Sequence, residues 1–222
     1  SRRQRQMCIR DSSEFLTCSN ILETADIDLG ALPTFKDGGG MTFLHTACRQ
    51  QAEQYIALCL YYAPAVINWP TYDDERAKPS NYTPLMCLVD SPNCRTERAE
   101  EAFTGMVTWL MGEMDPAALH VQGGRNRVNF MHMICGRGRI NTAARVLSLV
   151  EQGKFSMSKD EFITLLNAKN KVGKGVVDVS LSCKVPIAKM LKQFGAREQK
   201  PNPKWEMEYE DAKASGQVWE PS

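Results

Sequence analysis

The sequence has no excess of charge of either sign. Its 222 residues carry 27 Lys and Arg against 26 Asp and Glu, a formal net charge of +1. No whole-molecule field draws such a chain to nucleic acid or an acidic membrane, so a dedicated polyanion binder is disfavoured. Histidine is scarce, with three copies, which leaves a catalytic triad or a His-based acid/base pair poorly supplied. Long apolar runs are missing as well. The uncharged stretch from Tyr55 to Tyr72 is broken by Pro64, Asn68 and Pro70, which would strand backbone and polar groups in lipid, so no membrane insertion is expected. It is expected to be a buried helix and its exit. Gly38-Gly39-Gly40 is not followed by Gly-Lys-Ser/Thr, so turn geometry explains these glycines better than a phosphate loop does. No secretory signal is expected from the first residues given. A first residue other than Met is expected of an engineered or processed start, with Arg2, Arg3 and Arg5 in a solvated arm in preference to the remnant of a targeting segment.

What is present is ordinary for a folded chain: 43% hydrophobic and 24% charged residues, enough at this length to bury a large core in one or two domains. The eight cysteines, Cys8, Cys18, Cys48, Cys59, Cys87, Cys94, Cys135 and Cys183, sit mostly among apolar neighbours. There a thiol serves as a small hydrophobe, and a chain this long does not need disulfide staples. Reduced thiols, and with them a cytoplasmic or nuclear location, are expected.

The sequence contains internal copies. Asp37-Gly38-Gly39-Gly40-Met41-Thr42-Phe43-Leu44-His45-Thr46-Ala47 aligns with Asn81-Tyr82-Thr83-Pro84-Leu85-Met86-Cys87, with Arg127-Val128-Asn129-Phe130-Met131-His132-Met133-Ile134, and with Asn170 to Ser180. Taking Thr42, Thr83, Asn129 and Gly175 as equivalent, the offsets are 41, 46 and 46 residues (42 to 83, 83 to 129, 129 to 175). Thr42, Thr83 and Asn129 stand where a side-chain oxygen can cap a helix, and Pro84 follows at the first helical position, where its missing N–H costs nothing. Gly40 and Gly173 suit a positive-φ turn just before. Each copy then runs short and apolar, and a longer amphipathic helix follows, as in Phe103, Met106, Val107 and Leu110 at i, i+3, i+4 and i+7. The other second helices are expected over 54–62, 143–150 and 187–196, the last closed by Gly195 as a C-cap.

These segments resemble the ankyrin repeat, whose signature is an Asp, a Gly three residues on, and then Thr-Pro-Leu-His-x-Ala. The first copy has Asp37, Gly40, Thr42, Leu44, His45 and Ala47. The second keeps Thr83-Pro84-Leu85 with Met86 in the His slot, the third keeps His132, and the fourth has Asp178 there. The resemblance implies an all-α, ankyrin-like helical repeat solenoid of about four helix-turn-helix repeats, with insertions and a C-terminal tail. The expected organisation is an N-terminal arm and leading helix over 1–33, a repeat array over 34–196, and a tail over 197–222. Copies fall near 34–67, 68–119, 120–166 and 167–196. Offsets above the about 33 residues of a regular unit require insertions, expected at Trp69 to Ser80, Asp90 to Arg95 and Gln152 to Asp160. The last precedes a short helix, Phe162 to Leu166, for which Ser158 and Glu161 offer a capping box. Further helices are expected at Ser12 to Thr24 and Glu206 to Ala214.

His45-x-x-Cys48 and His132-x-x-Cys135 have the one-face spacing of zinc ligands. They recur at equivalent places in two copies, which favours a packing role, and the resemblance implies that both His side chains hydrogen-bond loop backbone. No catalytic residue, metal site, cofactor or small-molecule substrate is expected. The carboxylates Asp73-Asp74-Glu75 are read as solvated. Function, as the resemblance implies it, is a non-catalytic protein–protein interaction module. Candidate contacts are the aromatic pair Trp69 and Tyr72 and the basic residues Arg125, Arg127, Arg137, Lys171 and Lys174. Together with Arg139 and Lys169 the latter predict an acidic-to-basic gradient along the turns, facing an acidic or phosphorylated segment of the partner protein. Trp205, Tyr209 and Trp219 either cap the last copy or dock on a partner. The resemblance also implies that Asn68 and Asn167 match a turn asparagine that can be hydroxylated. Two competing readings are a stoichiometric subunit of a larger assembly and the regulatory ankyrin region of a larger enzyme.

Overall fold

The computed structural model describes residues 36–72, 80–91, 96–183 and 185–199. The leading helix at Ser12 to Thr24, the arginines of the arm, the carboxylates Asp73 to Glu75, Cys8, Cys18, Cys94 and the tail with Trp205, Tyr209 and Trp219 lie outside the described residues. Among those described, the protein is all-α, with ten α-helices, one 3₁₀ turn and only isolated β-bridges, Lys36 with Thr42 and Gly123 with Val128. No helix among them is long and apolar enough to cross a membrane. The chain divides into two compact units between Ala118 and Leu119.

In the first unit, extended Thr42 leads into α1 (Phe43–Gln50), which buries Leu44, His45, Ala47 and Cys48. It stops where Gln51 turns left-handed at φ 57°. Helix α2 (Glu53–Tyr62) returns and buries Ile56 to Cys59, and Pro64–Asn68 continues as the 3₁₀ turn. Thr83 then caps α3 (Pro84–Asp90) by accepting from the Met86 N–H, with Pro84 in the first turn. Every residue from Pro84 to Val89 is buried, because α3 packs between α1, the 3₁₀ turn and α4 (Glu97–Glu113). A helix apolar on all sides needs neighbours on all sides. In α4 the i, i+3, i+4, i+7 stripe of Phe103, Met106, Val107 and Leu110 is buried as its period requires. The four-residue α5 (Pro116–Leu119) spans the point in the chain at which the two units divide.

In the second unit, Asn129 caps α6 (Phe130–Gly136), whose residues from Phe130 to Cys135 are all buried. It is followed by α7 (Ile140–Glu151), α8 (Lys159–Asn167), α9 (Val176–Cys183) and α10 (Val185–Phe194). Helix α6 packs on α9 and α7 packs on α10, with α8 against both α7 and α9. The capping box of α8 forms as read, Ser158 Oγ accepting from the Glu161 N–H at 3.3 Å while Glu161 accepts from the Ser158 N–H at 2.8 Å. Phe162 of α8 meets Phe194 of α10 edge to face at 5.9 Å. With Phe162 fully buried, that one side chain contributes about 1.5–3 kcal/mol of apolar transfer energy. Gly195 ends α10 at φ 118°.

Candidate functional site

Two of the turns before the short helices, those before α1 and α9, are built alike. Asp37 Oδ1 accepts from the N–H groups of Gly39 and Met41 at 2.8 and 2.9 Å. At the equivalent place Asn170 Oδ1 accepts from those of Val172 and Lys174 at 3.1 and 2.9 Å. Gly40 and Gly173, three residues after Asp37 and Asn170, have φ of 78° and 80°. Short acidic or amide side chains bond their own backbone two residues on, which is why these residue types open the turn.

Two of the turns, those ending at Tyr82 and at Lys174, are each stapled by a histidine from an earlier short helix of the same unit. His45 Nδ1 accepts from the Thr42 N–H at 3.1 Å and also meets the Thr42 hydroxyl at 2.9 Å. The opposite nitrogen must then carry the proton, and Nε2–H donates to the Tyr82 carbonyl at 3.0 Å, one residue before the Thr83 cap. His132 repeats the pattern, with Nδ1 accepting from the Asn129 N–H at 3.4 Å and Nε2–H donating to the Lys174 carbonyl at 3.2 Å, one residue before Gly175. Burial in the protein interior lowers the pKa of both imidazoles from 6.5 to about 4, so both are neutral near pH 7. Both ring nitrogens of each histidine are thus engaged in holding turns. Desolvation likewise pushes up the buried thiols, to about 12 for Cys59 and Cys87 and well above the usual range for Cys48. Among the described residues no three His, Cys, Asp or Glu side chains gather as a metal site would require.

Where the fourth copy has Asp178, the carboxylate does related work by another route. Its Oδ2 accepts from the Gly175 N–H at 2.7 Å, and its two oxygens accept from the Gln199 N–H at 3.1 and 3.2 Å. This ties the start of α9 to the chain leaving α10. Desolvation raises the Asp178 pKa against the lowering effect of those hydrogen bonds.

Trp69 and Tyr72 lie on an extended segment sewn to both neighbours. Tyr72 N–H donates to the Gly39 carbonyl, while Thr71 N–H donates to Tyr82 O and Asn81 N–H to Tyr72 O. Trp69 is half-buried and Tyr72 is 48% exposed. Lys36, which no linear pattern singled out, places Nζ 5.1 Å from the Trp69 ring centre and 5.4 Å from that of Tyr72.

The basic residues are grouped by a backbone contact. Lys171 N–H donates to the Asn126 carbonyl at 2.9 Å, and Gln122 Nε2 donates to the Lys169 carbonyl at 3.1 Å. The turn carrying Arg125 and Arg127 therefore lies beside the turn carrying Lys169, Lys171 and Lys174. Arg125 and Arg127 are exposed, and Lys171 and Lys174 half-exposed. Arg137 caps the far end of α6, which places it about 10 Å along the helix from that edge. Arg139, expected with these basic residues, does not join them: it is buried at the start of α7. Asp73 to Glu75, the acidic half of the expected gradient, fall outside the described residues.

Asn68 and Asn167 are both engaged in tertiary bonds. Asn68 donates to Asp115 Oδ2 at 2.7 Å and accepts from the Asp115 N–H at 2.9 Å, and Asn167 accepts from the Arg197 N–H at 2.8 Å. Each thus holds the end of a helical segment to the chain that follows a later helix. An open groove along α9 and α10 is lined by Leu181, Val185, Ala188, Lys189, Lys192 and Gln193. The sequence pattern gave no sign of it, because the lining residues share no motif. No protein-family model and no curated protein matches this chain.

Proposed function

We propose that this chain is a non-catalytic protein-interaction module built of ankyrin-like helix pairs, which binds a partner protein through its turns and inner helices. Its contacts on this reading are Trp69, Tyr72, Arg125, Arg127, Arg137, Lys171 and Lys174, and the partner segment facing the basic turns is acidic or phosphorylated. The repeat reading is supported by the recurrence of one device, a cap, a histidine three residues on, and a hydrogen bond from that histidine to the residue before the next cap. A reducing compartment, cytoplasm or nucleus, is supported by the burial of Cys48, Cys59, Cys87 and Cys135.

The observation that carries the binding reading is the Lys171 N–H to Asn126 O hydrogen bond. It sets two Arg and two Lys on adjoining turns, where a single acidic or phosphorylated segment can meet them together. Arg presents a planar fork that suits carboxylate or phosphate, and Lys a point charge. Affinity purification from the native source tests this, with the charge-reversal variant Arg125→Glu/Arg127→Glu/Lys171→Glu/Lys174→Glu as control. If four exposed pairs contribute a few tenths of a kcal/mol each, losing them weakens capture roughly tenfold. The loss shrinks as salt screens the charges. Unchanged partners in the variant would remove the basic edge from the binding surface.

A further inference from the structure

We propose that Trp69 and Tyr72 form an aromatic clamp for the ammonium group of a partner protein's lysine side chain, and that Lys36 fills this clamp in the unbound chain. The proposal deepens the partner-binding reading and rests on it for the ligand being a protein side chain. Its ligand chemistry is argued from the occupant already in place. Lys36 Nζ stands 5.1 and 5.4 Å from two ring centres at once, within the about 6 Å over which an aromatic face attracts a cation. The two rings are therefore disposed so that one ammonium can address both.

The rings are held by backbone, as a recognition site requires. Tyr72 is anchored by its N–H to the Gly39 carbonyl at 3.2 Å and by its own carbonyl to the Asn81 N–H at 2.9 Å. Its ring and amide lie so close over Gly40 that a Cβ there would fall 2.5 Å from Tyr72 N and 2.8 Å from two ring carbons. Only a glycine at φ 78° leaves room for that seat. Trp69 is anchored by its N–H to the Val66 carbonyl at 3.2 Å. A fixed aromatic pair loses little entropy on binding. With about half of its surface in solvent, Tyr72 remains open to an incoming chain. Lys36 is a half-buried side chain with its ammonium on a flexible stem, and a cation–π contact that is open to solvent on the Tyr72 side is weak enough for a competing ammonium to displace it.

The test uses ¹⁹F NMR of the 222-residue chain labelled with 5-fluorotryptophan, with Trp69→Phe to assign the Trp69 signal. The probes are Nα-acetyl-lysine methylamide, its Nε-trimethyl form and the neutral Nε-acetyl form. In Lys36→Gln, where the internal competitor is gone, the Trp69 signal is expected to move with both ammonium probes and to stay still with the neutral one. The unsubstituted chain should need about two- to fivefold more probe for the same shift, the competition a solvent-accessible cation–π contact supplies. The signal of Trp109, buried in α4, stays constant and reports an intact fold. A Trp69 signal in Lys36→Gln that does not move, or that moves equally with the neutral probe, overturns the clamp. Partner capture that depends on the basic turns, together with a still Trp69 signal, would sink the clamp and leave the binding reading standing. A moving Trp69 signal with no partner captured would do the reverse.

Discussion

Replacing His45 with Gln should flatten the acid dependence of stability, by an amount the structure allows to be worked out. The folded ring has its pKa lowered from 6.5 to about 4, chiefly by burial. Its Nδ1 is an acceptor for the Thr42 N–H and Nε2–H a donor to the Tyr82 carbonyl, so a second proton at Nδ1 would set N–H against N–H in a dry site. Above pH 6.5 the ring is neutral folded or unfolded and the stability is fully present. As the pH falls, the unfolded chain takes up the proton first, and stability is lost progressively until the pH passes the folded pKa near 4. For this shift the loss is about 2 kcal/mol by pH 5 and about 3 kcal/mol at completion. The Gln variant is less stable at pH 7, by about 1–3 kcal/mol, because the Thr42 N–H loses its buried acceptor. It has no ring to titrate, however, so the gap to the unsubstituted chain should narrow by about 2 kcal/mol between pH 7 and pH 5. Urea unfolding followed by far-UV circular dichroism at pH 7, 6 and 5 measures this, and contributions from groups common to both chains cancel in the difference. Stability curves that stay parallel over that range would refute the assignment of His45 as a neutral staple.

Two further outcomes follow from local geometry. Gly40→Ala should destabilise the protein by on the order of 2 kcal/mol, since it combines a left-handed backbone with a 2.5 Å approach to Tyr72 N. Gly38→Ala, where nothing lies within 4 Å of the added carbon, should stay within about 0.5 kcal/mol; equal urea midpoints for the two would contradict the seat of Tyr72 on Gly40. Cys48, Cys59 and Cys87, buried and with thiols held protonated, should resist iodoacetamide at about pH 8 until the chain unfolds. Peptide mass spectrometry that finds these three alkylated quickly in the folded protein would argue against their burial.

Helix class, most helix ends and the caps were legible in linear order because they depend on near neighbours. The Thr83 and Asn129 caps, Pro84 in the first turn and the Ser158 and Glu161 box each involve residues within three or four positions of one another. The stripe of α4 was legible because its period matches the helix, although the helix itself runs six residues further toward the N-terminus than the stripe, from Glu97 to Phe103. The short 3₁₀ turn and α5 escaped notice because neither is long enough to show a period.

The site divides in the same way. Which residue types bear charge or an aromatic ring was plain from the sequence, and so was the likeness of His45 to His132. Partners far along the chain were not. That His45 would reach Tyr82 and His132 reach Lys174, that Asp178 would hold Gln199, and that Lys36 would lie over Trp69 and Tyr72 depends on how helices pack. Arg139 shows the limit most directly. In the sequence it belongs to a run of basic residues, and in the fold it is buried at the N-cap of α7 while Arg125 and Arg127 stay in solvent. The sequence by itself determined the helices, their caps and the near-zero balance of charge, all of which are local or additive properties. Only the tertiary structure decided which cations share an edge, which histidine nitrogen carries the proton and which lysine meets two aromatic faces, because those depend on distances between segments that the chain brings together only when its apolar faces are buried.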